Sequence, residues 1–166
     1  MYTDFAVALS CPNVGRKGDM GNRVAQQSPC YCSILRKAVR RVSTLYDAHL
    51  RPSGLKSTQL ALLAELRRHR SEPPTVNELA DYLVMDRSTL GHNLRPLLRR
   101  GLVALEPDET DGRTRRVILT VKGAAKCTDA EKLWRKAQQE YESIMGKTAA
   151  VALRNALQKL ATSEAL

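Results

Sequence analysis

Residues 75–103 read TVNELADYLVMDRSTLGHNLRPLLRRGLV, and the fold turns on this stretch. Thr75 followed three residues on by Glu78 is a capping box, so a helix starts just after Thr75. Leu79, Ala80 and Leu83 give that helix an apolar face. Asp86 is a second N-cap residue, which leaves only a tight connection around Val84 and Met85 between two short helices. Set at 100° per residue, Leu90, Leu94, Leu97 and Leu98 fall on one side of the second helix. Ser88, Gly91, His92, Arg95 and Arg99 fall on the other. From Arg87 to Gly101 there is no carboxylate at all. Ordinary solvated helix faces mix both signs of charge, so a run without counter-charge points to a polyanion. Pro96 removes the bond from its own amide to the His92 carbonyl and is expected to bend or loosen the helix. The part expected to enter a groove is then 86–95.

The pattern continues on both sides. Leu35, Ala38, Val42 and Leu45 mark an amphipathic helix over 30–50, with Arg36, Lys37, Arg40 and Arg41 largely off its apolar stripe. Arg51-Pro52-Ser53-Gly54 stops it. A second helix is expected from Thr58, over TQLALLAELRRHR, with its basic residues in the last turn. After Gly101 the periodicity changes. Leu102–Leu105 and Arg115–Leu119 read as strands around the polar turn EPDETDGRT, a hairpin with a long tip. Thr120 caps a last long helix carrying Cys127, Ala130, Trp134, Ala137, Tyr141 and Ile144 at heptad spacing. Gly146 interrupts that seam, and Leu153, Leu157 and Leu160 stripe a final helix. Apolar-striped helices at both ends predict pairing with a second copy of the chain.

Composition narrows the function. The formal net charge of +10 favours nucleic acid as partner, and the aromatic content of 4% offers few stacking platforms for single strands or RNA. No apolar run approaches the length of a membrane span, and the opening MYTDFAVALSCPNVGRK is a poor signal peptide, so no membrane partner and a cytoplasmic, nucleoid-associated location are expected. The four cysteines form no C-x-x-C pair, and His49, His69 and His92 are scattered, which argues against a metal site or other cofactor. An enzyme is not expected. A P-loop, G-x-G-x-x-G and HExxH are all absent, and a thiol enzyme would need a general base near Cys30 or Cys32 that the sequence does not present.

The order helix, helix-turn-helix, two-stranded wing and long terminal helices resembles the MarR family of bacterial transcription regulators over roughly residues 30–163. The resemblance is carried by GLKSTQLALLAEL (54–66), by 75–103, by the wing DETDGRTRRVILT (108–120) and by the turn from Thr120 to Gly123. Asp111-Gly112-Arg113 is its most specific element. The fold class implied is mainly α with a small β-hairpin, a winged helix-turn-helix with N- and C-terminal dimerisation helices. The expected organisation is a flexible arm (1–28), a dimerisation helix and linker (29–57), a DNA-binding domain (58–120) and C-terminal dimerisation helices (121–166). The resemblance implies a homodimeric repressor of a palindromic double-stranded operator. Arg87, Ser88, Thr89, His92, Asn93, Arg95 and Arg99 would contact the major groove and backbone. Arg113, Thr114 and Arg115 would work from the wing, with Arg113 in the minor groove and Asp111 bracing the loop. Gly91 and His92 depart from the Thr and Arg that relatives sharing RPLLRRGL often carry.

Two release signals stay open. Many family members respond to small aromatic acids held between the dimer helices and the DNA-binding lobe, where Tyr46 and His49 are expected to line a pocket. Some sense oxidants through an N-terminal cysteine, which here points to Cys30 and Cys32, with Cys11 as a partner on the arm. The rival readings are a thiol enzyme and an RNA-binding module.

Overall fold

The computed structural model describes residues 29–108 and 111–163. The arm expected over 1–28, with its Cys11, lies outside them. Helix α1 (Tyr31–Leu50) carries the predicted stripe and runs into a short 3-10 turn, Arg51–Ser53, with Pro52 in its first positions. Gly54 closes the turn in the left-handed region at φ 66°. α2 (Ser57–Arg68) begins one residue before Thr58, because its first amide is satisfied from outside. Ser57 N donates to Asp47 Oδ1 of α1 at 2.7 Å, and Lys56 N donates to Gln59 Oε1 at 3.1 Å.

α3 (Val76–Tyr82) opens on the expected capping box. Glu78 N donates to Thr75 Oγ1 at 3.2 Å, and Thr75 N donates to Glu78 Oε2 at 2.7 Å. These bonds to the charged form hold the Glu78 carboxyl below its ordinary value. α4 (Arg87–Arg99) runs on past Pro96 as one helix. Between α3 and α4 the chain turns at Val84, whose φ is +50° although it is β-branched. Its side chain is 75% exposed, so the strain is not offset by burial. Val84→Gly is therefore expected to raise stability by about 1 kcal/mol, read as a higher melting midpoint.

Strands β1 (Val103–Pro107) and β2 (Arg115–Leu119) form an antiparallel hairpin with Val103 opposite Leu119 and Pro107 opposite Arg115. The hairpin is docked rather than free. Val117 N donates to Pro74 O at 2.8 Å, and Thr75 bridges Arg116. Thr120 caps α5 (Val121–Met145) by accepting from Gly123 N at 2.9 Å, and α6 (Lys147–Ala161) follows Gly146.

One core joins these elements. Leu50, Leu62, Leu63, Leu79, Leu90, Leu97 and Val117 are fully buried, and Cys127 and Ala130 of α5 close it from above. Along α5, Cys127, Ala130 and Ala137 of the predicted seam are buried, while Trp134 and Ile144 are exposed on the single chain. The final stripe is exposed too, at Leu153, Leu157 and Leu160.

Candidate nucleic-acid interface

Helix α4 presents the face that its sequence predicts. Leu90, Leu94 and Leu97 point into the core, and Arg87, Ser88, Thr89, His92, Arg95 and Arg99 are exposed. Among the described residues no carboxylate lies in ion-pair range of Arg87, Arg95 or Arg99. The helix start is rigidly held. The Asp86 carboxylate accepts Thr89 N at 2.8 Å, Ser88 Oγ at 2.6 Å and Thr89 Oγ1 at 2.6 Å. These hydrogen bonds, the Ser88 hydroxyl first, hold the Asp86 carboxyl far below its ordinary value. Asn93 is half-buried and donates from Nδ2 to the Thr89 carbonyl at 2.9 Å.

The start of α2 flanks this face. Lys56 and Gln59 share an open concavity of about 650 Å³ with Ser88, Thr89, His92 and Asn93. Sequence reasoning passed over these two residues. The only signal for them was their place at a helix start, which does not say which other element lies alongside.

On the wing, Arg113 and Arg115 are exposed. Asp111 holds the turn: its Oδ1 accepts Arg113 N at 3.0 Å and its Oδ2 accepts Thr114 Oγ1 at 2.9 Å. Thr114 is thus engaged within the loop, while Arg113 and Arg115 point outward. Arg116 behaves differently from its neighbours. It turns inward, its Nε donating to the buried Asp108 carboxylate and its Nη1 to Pro73 O at 2.6 Å. Arg116, held by Asp108, therefore ties the hairpin to the loop ahead of α3.

The remaining candidates lie elsewhere. Tyr46 donates its hydroxyl to Gln138 Oε1 and lines a cavity of about 500 Å³ between α1, α2 and α5. Leu60, Ala61, Ala64, Arg67, Cys127 and Trp134 help to form its wall. His49 is not in that wall; its Nε2 meets Glu140 Oε2 at 2.6 Å. Cys30 and Cys32 are exposed at the start of α1. Cys127 is buried, and burial pushes its thiol up, so it stays protonated and unreactive at neutral pH. No helix of the described residues is long and apolar enough to cross a membrane.

The MarR family model matches residues 53–114, from the turn after α1 into the wing tip. The transcriptional regulator MosR of M. tuberculosis, solved in complex with DNA, is 36% identical, with a TM-score of 0.70 over 80% of this chain and 93% of that one. A probable transcriptional regulator from Pseudomonas aeruginosa is 28% identical, with a TM-score of 0.71 over 78% of this chain and 96% of that one. An E. coli MarR variant complexed with operator DNA is 25% identical, with a TM-score of 0.69 over 78% of this chain and 91% of that one. Comparison with curated proteins gives no match. Fold, element order and a relative of this identity agree that the chain belongs to the MarR family, whose members are transcriptional regulators and not enzymes.

Proposed function

We propose that the protein is a homodimeric repressor that binds a palindromic operator, with the lobe over 58–120 as its reading unit. The observation that carries this is the outward face of α4, where arginines stand without carboxylate partners among the described residues, together with a wing on which Arg113 and Arg115 are exposed. Arginine is bidentate to guanine in a major groove, and a wing arginine suits the negative potential of a narrow minor groove. Lys56 and Gln59 supply backbone contacts from the start of α2, with Arg87 and Arg99 at the two ends of α4. The apolar residues left exposed on α5 and α6 are the surface a second copy would cover. Titration of fluorescent duplex and single-stranded probes across salt tests the reading. Tight duplex binding with a steep salt slope is expected, and equal affinity for single strands would overturn it.

Release by a small aromatic acid is the second half of the proposal. It rests on the cavity at Tyr46, which sets Trp134 and an aliphatic floor against Arg67 between the lobe and the long helices. Exposed Cys30 and Cys32 support the alternative of release by oxidation. One experiment separates the two: the DNA complex is challenged with phenolic acids and with peroxide, in wild type and in a Cys30→Ser/Cys32→Ser variant. Ligand release is expected in both proteins. Peroxide release that persists in the variant would remove this cysteine pair from the mechanism.

A further inference from the structure

The hydroxyls of Ser88 and Thr89 face outward on α4, yet both are already committed on the protein side. Their oxygens lie 2.6 Å from the two oxygens of the Asp86 carboxylate, Ser88 Oγ on Oδ1 and Thr89 Oγ1 on Oδ2. An ionised carboxylate has no proton to give, so in each contact the hydroxyl is the donor. A hydroxyl has one proton and two lone pairs. With the proton spent on Asp86, each of these side chains meets DNA as an acceptor only.

We infer that Asp86, without touching DNA, determines which bases Ser88 and Thr89 can read: adenine or cytosine in preference to guanine or thymine on the strand they face. In the major groove the amino groups of adenine N6 and cytosine N4 are donors, whereas guanine O6 and N7 and thymine O4 are acceptors. An acceptor-only hydroxyl bonds the amino bases. Facing a keto oxygen, or a phosphate, it offers only lone pair against lone pair. Asp86 is therefore a specificity-determining residue that acts through its neighbours. The depressed Asp86 carboxyl agrees with this, because it keeps the arrangement in place at any pH at which the protein is handled. The inference rests on the proposal that α4 reads duplex DNA.

Asp86→Asn is the informative change. Asparagine is as good an N-cap as aspartate, so its amide oxygen still accepts Thr89 N and the helix start is kept. Its NH2 group, in the place of Oδ2, now donates to Thr89 Oγ1 and releases that proton toward the groove, while Ser88 Oγ still donates to the retained oxygen. The experiment selects bound sequences from a randomised duplex library with wild type, Asp86→Asn, Ser88→Ala and Thr89→Val. The positions faced by these side chains are those whose preference changes in the Ser88 and Thr89 variants. There the wild type is expected to favour adenine or cytosine by about tenfold on one strand, and Asp86→Asn is expected to lose or invert that preference at the Thr89 position while keeping it at the Ser88 position. Melting curves accompany each variant, and Ser88→Ala and Thr89→Val report on the same positions even if Asp86→Asn folds poorly. A wild-type preference for guanine or thymine there, a preference at the Thr89 position unchanged in Asp86→Asn, or no position that responds to the Ser88 and Thr89 variants overturns the inference while leaving duplex recognition standing. Failure of the wild type to select any duplex sequence is a different result, because it removes the underlying DNA reading as well.

Discussion

Gly123→Ala is expected to destabilise the protein by about 3 kcal/mol, seen as a melting midpoint roughly 10 °C lower. Glycine is needed here for space, not for backbone freedom. A Cβ on Gly123 would lie 1.9 Å from the Leu102 carbonyl oxygen and 2.9 Å from Leu119 Cδ1. The leucine methyl can turn aside, but the Leu102 carbonyl is backbone and cannot. The Leu102 carbonyl accepts from Thr120 N at 3.3 Å and lies 3.1 Å from Thr120 Oγ1, so moving it disturbs the cap of α5 as well as the entry to β1. Gly91→Ala is the matched control. Nothing lies within 4 Å of its added carbon, and alanine is the better helix former, so that variant should melt no lower than wild type. Equal melting of Gly123→Ala and wild type would show that the α5 start and the wing base are not packed as described.

The second large effect concerns DNA. Arg95→Ala and Arg113→Ala are each expected to weaken operator binding by about 1–3 kcal/mol, roughly 5- to 150-fold in Kd, with the oligomeric state unchanged. The two side chains are exposed on different elements, and neither has an ion-pair partner among the described residues. Truncation therefore leaves no buried charge behind, and the loss reports the contact itself. The readouts should differ. Arg95→Ala should relax the preference at one base pair if it reads an edge. Arg113→Ala should act mostly where A·T tracts narrow the minor groove. Each should lower the salt slope by about one if the contact is instead to phosphate. Unchanged Kd in both variants would remove the proposed interface.

Most of the fold was legible because its punctuation is local. Thr75, Asp86 and Thr120 each cap a helix within three residues of themselves, so side chain and target are fixed by the same short stretch. The outward set on α4 followed from period alone. What escaped were pairings across the chain. Asp47 caps α2 from ten residues away, and Arg116 reaches Asp108 and Pro73 instead of joining Arg113 and Arg115 at the surface. Three arginines in four positions look alike in sequence; Arg116 is set apart by the Asp108 carboxylate and the Pro73 carbonyl that receive it, neither of which its neighbours announce. His49 was placed near Tyr46 by proximity along α1, but their side chains reach different partners on α5, Glu140 and Gln138. The seam on α5 was visible, while its exposed members, Trp134 and Ile144, show that a single chain covers only part of it.

The anchoring of the hairpin has a mechanical consequence. A two-stranded ribbon on its own would flex at its base, but this one is clamped along β2 and at its base. Arg116 and Val117 fasten it to residues 73 and 74, and Gly123 wedges the first turn of α5 against Leu102. A tilt imposed on α5 from the far side of the molecule thus has no soft joint in which to dissipate. Because Leu102 N also donates to the Leu97 carbonyl of α4 at 2.9 Å, hairpin and α4 are expected to follow such a tilt together, as one oar blade on one shaft.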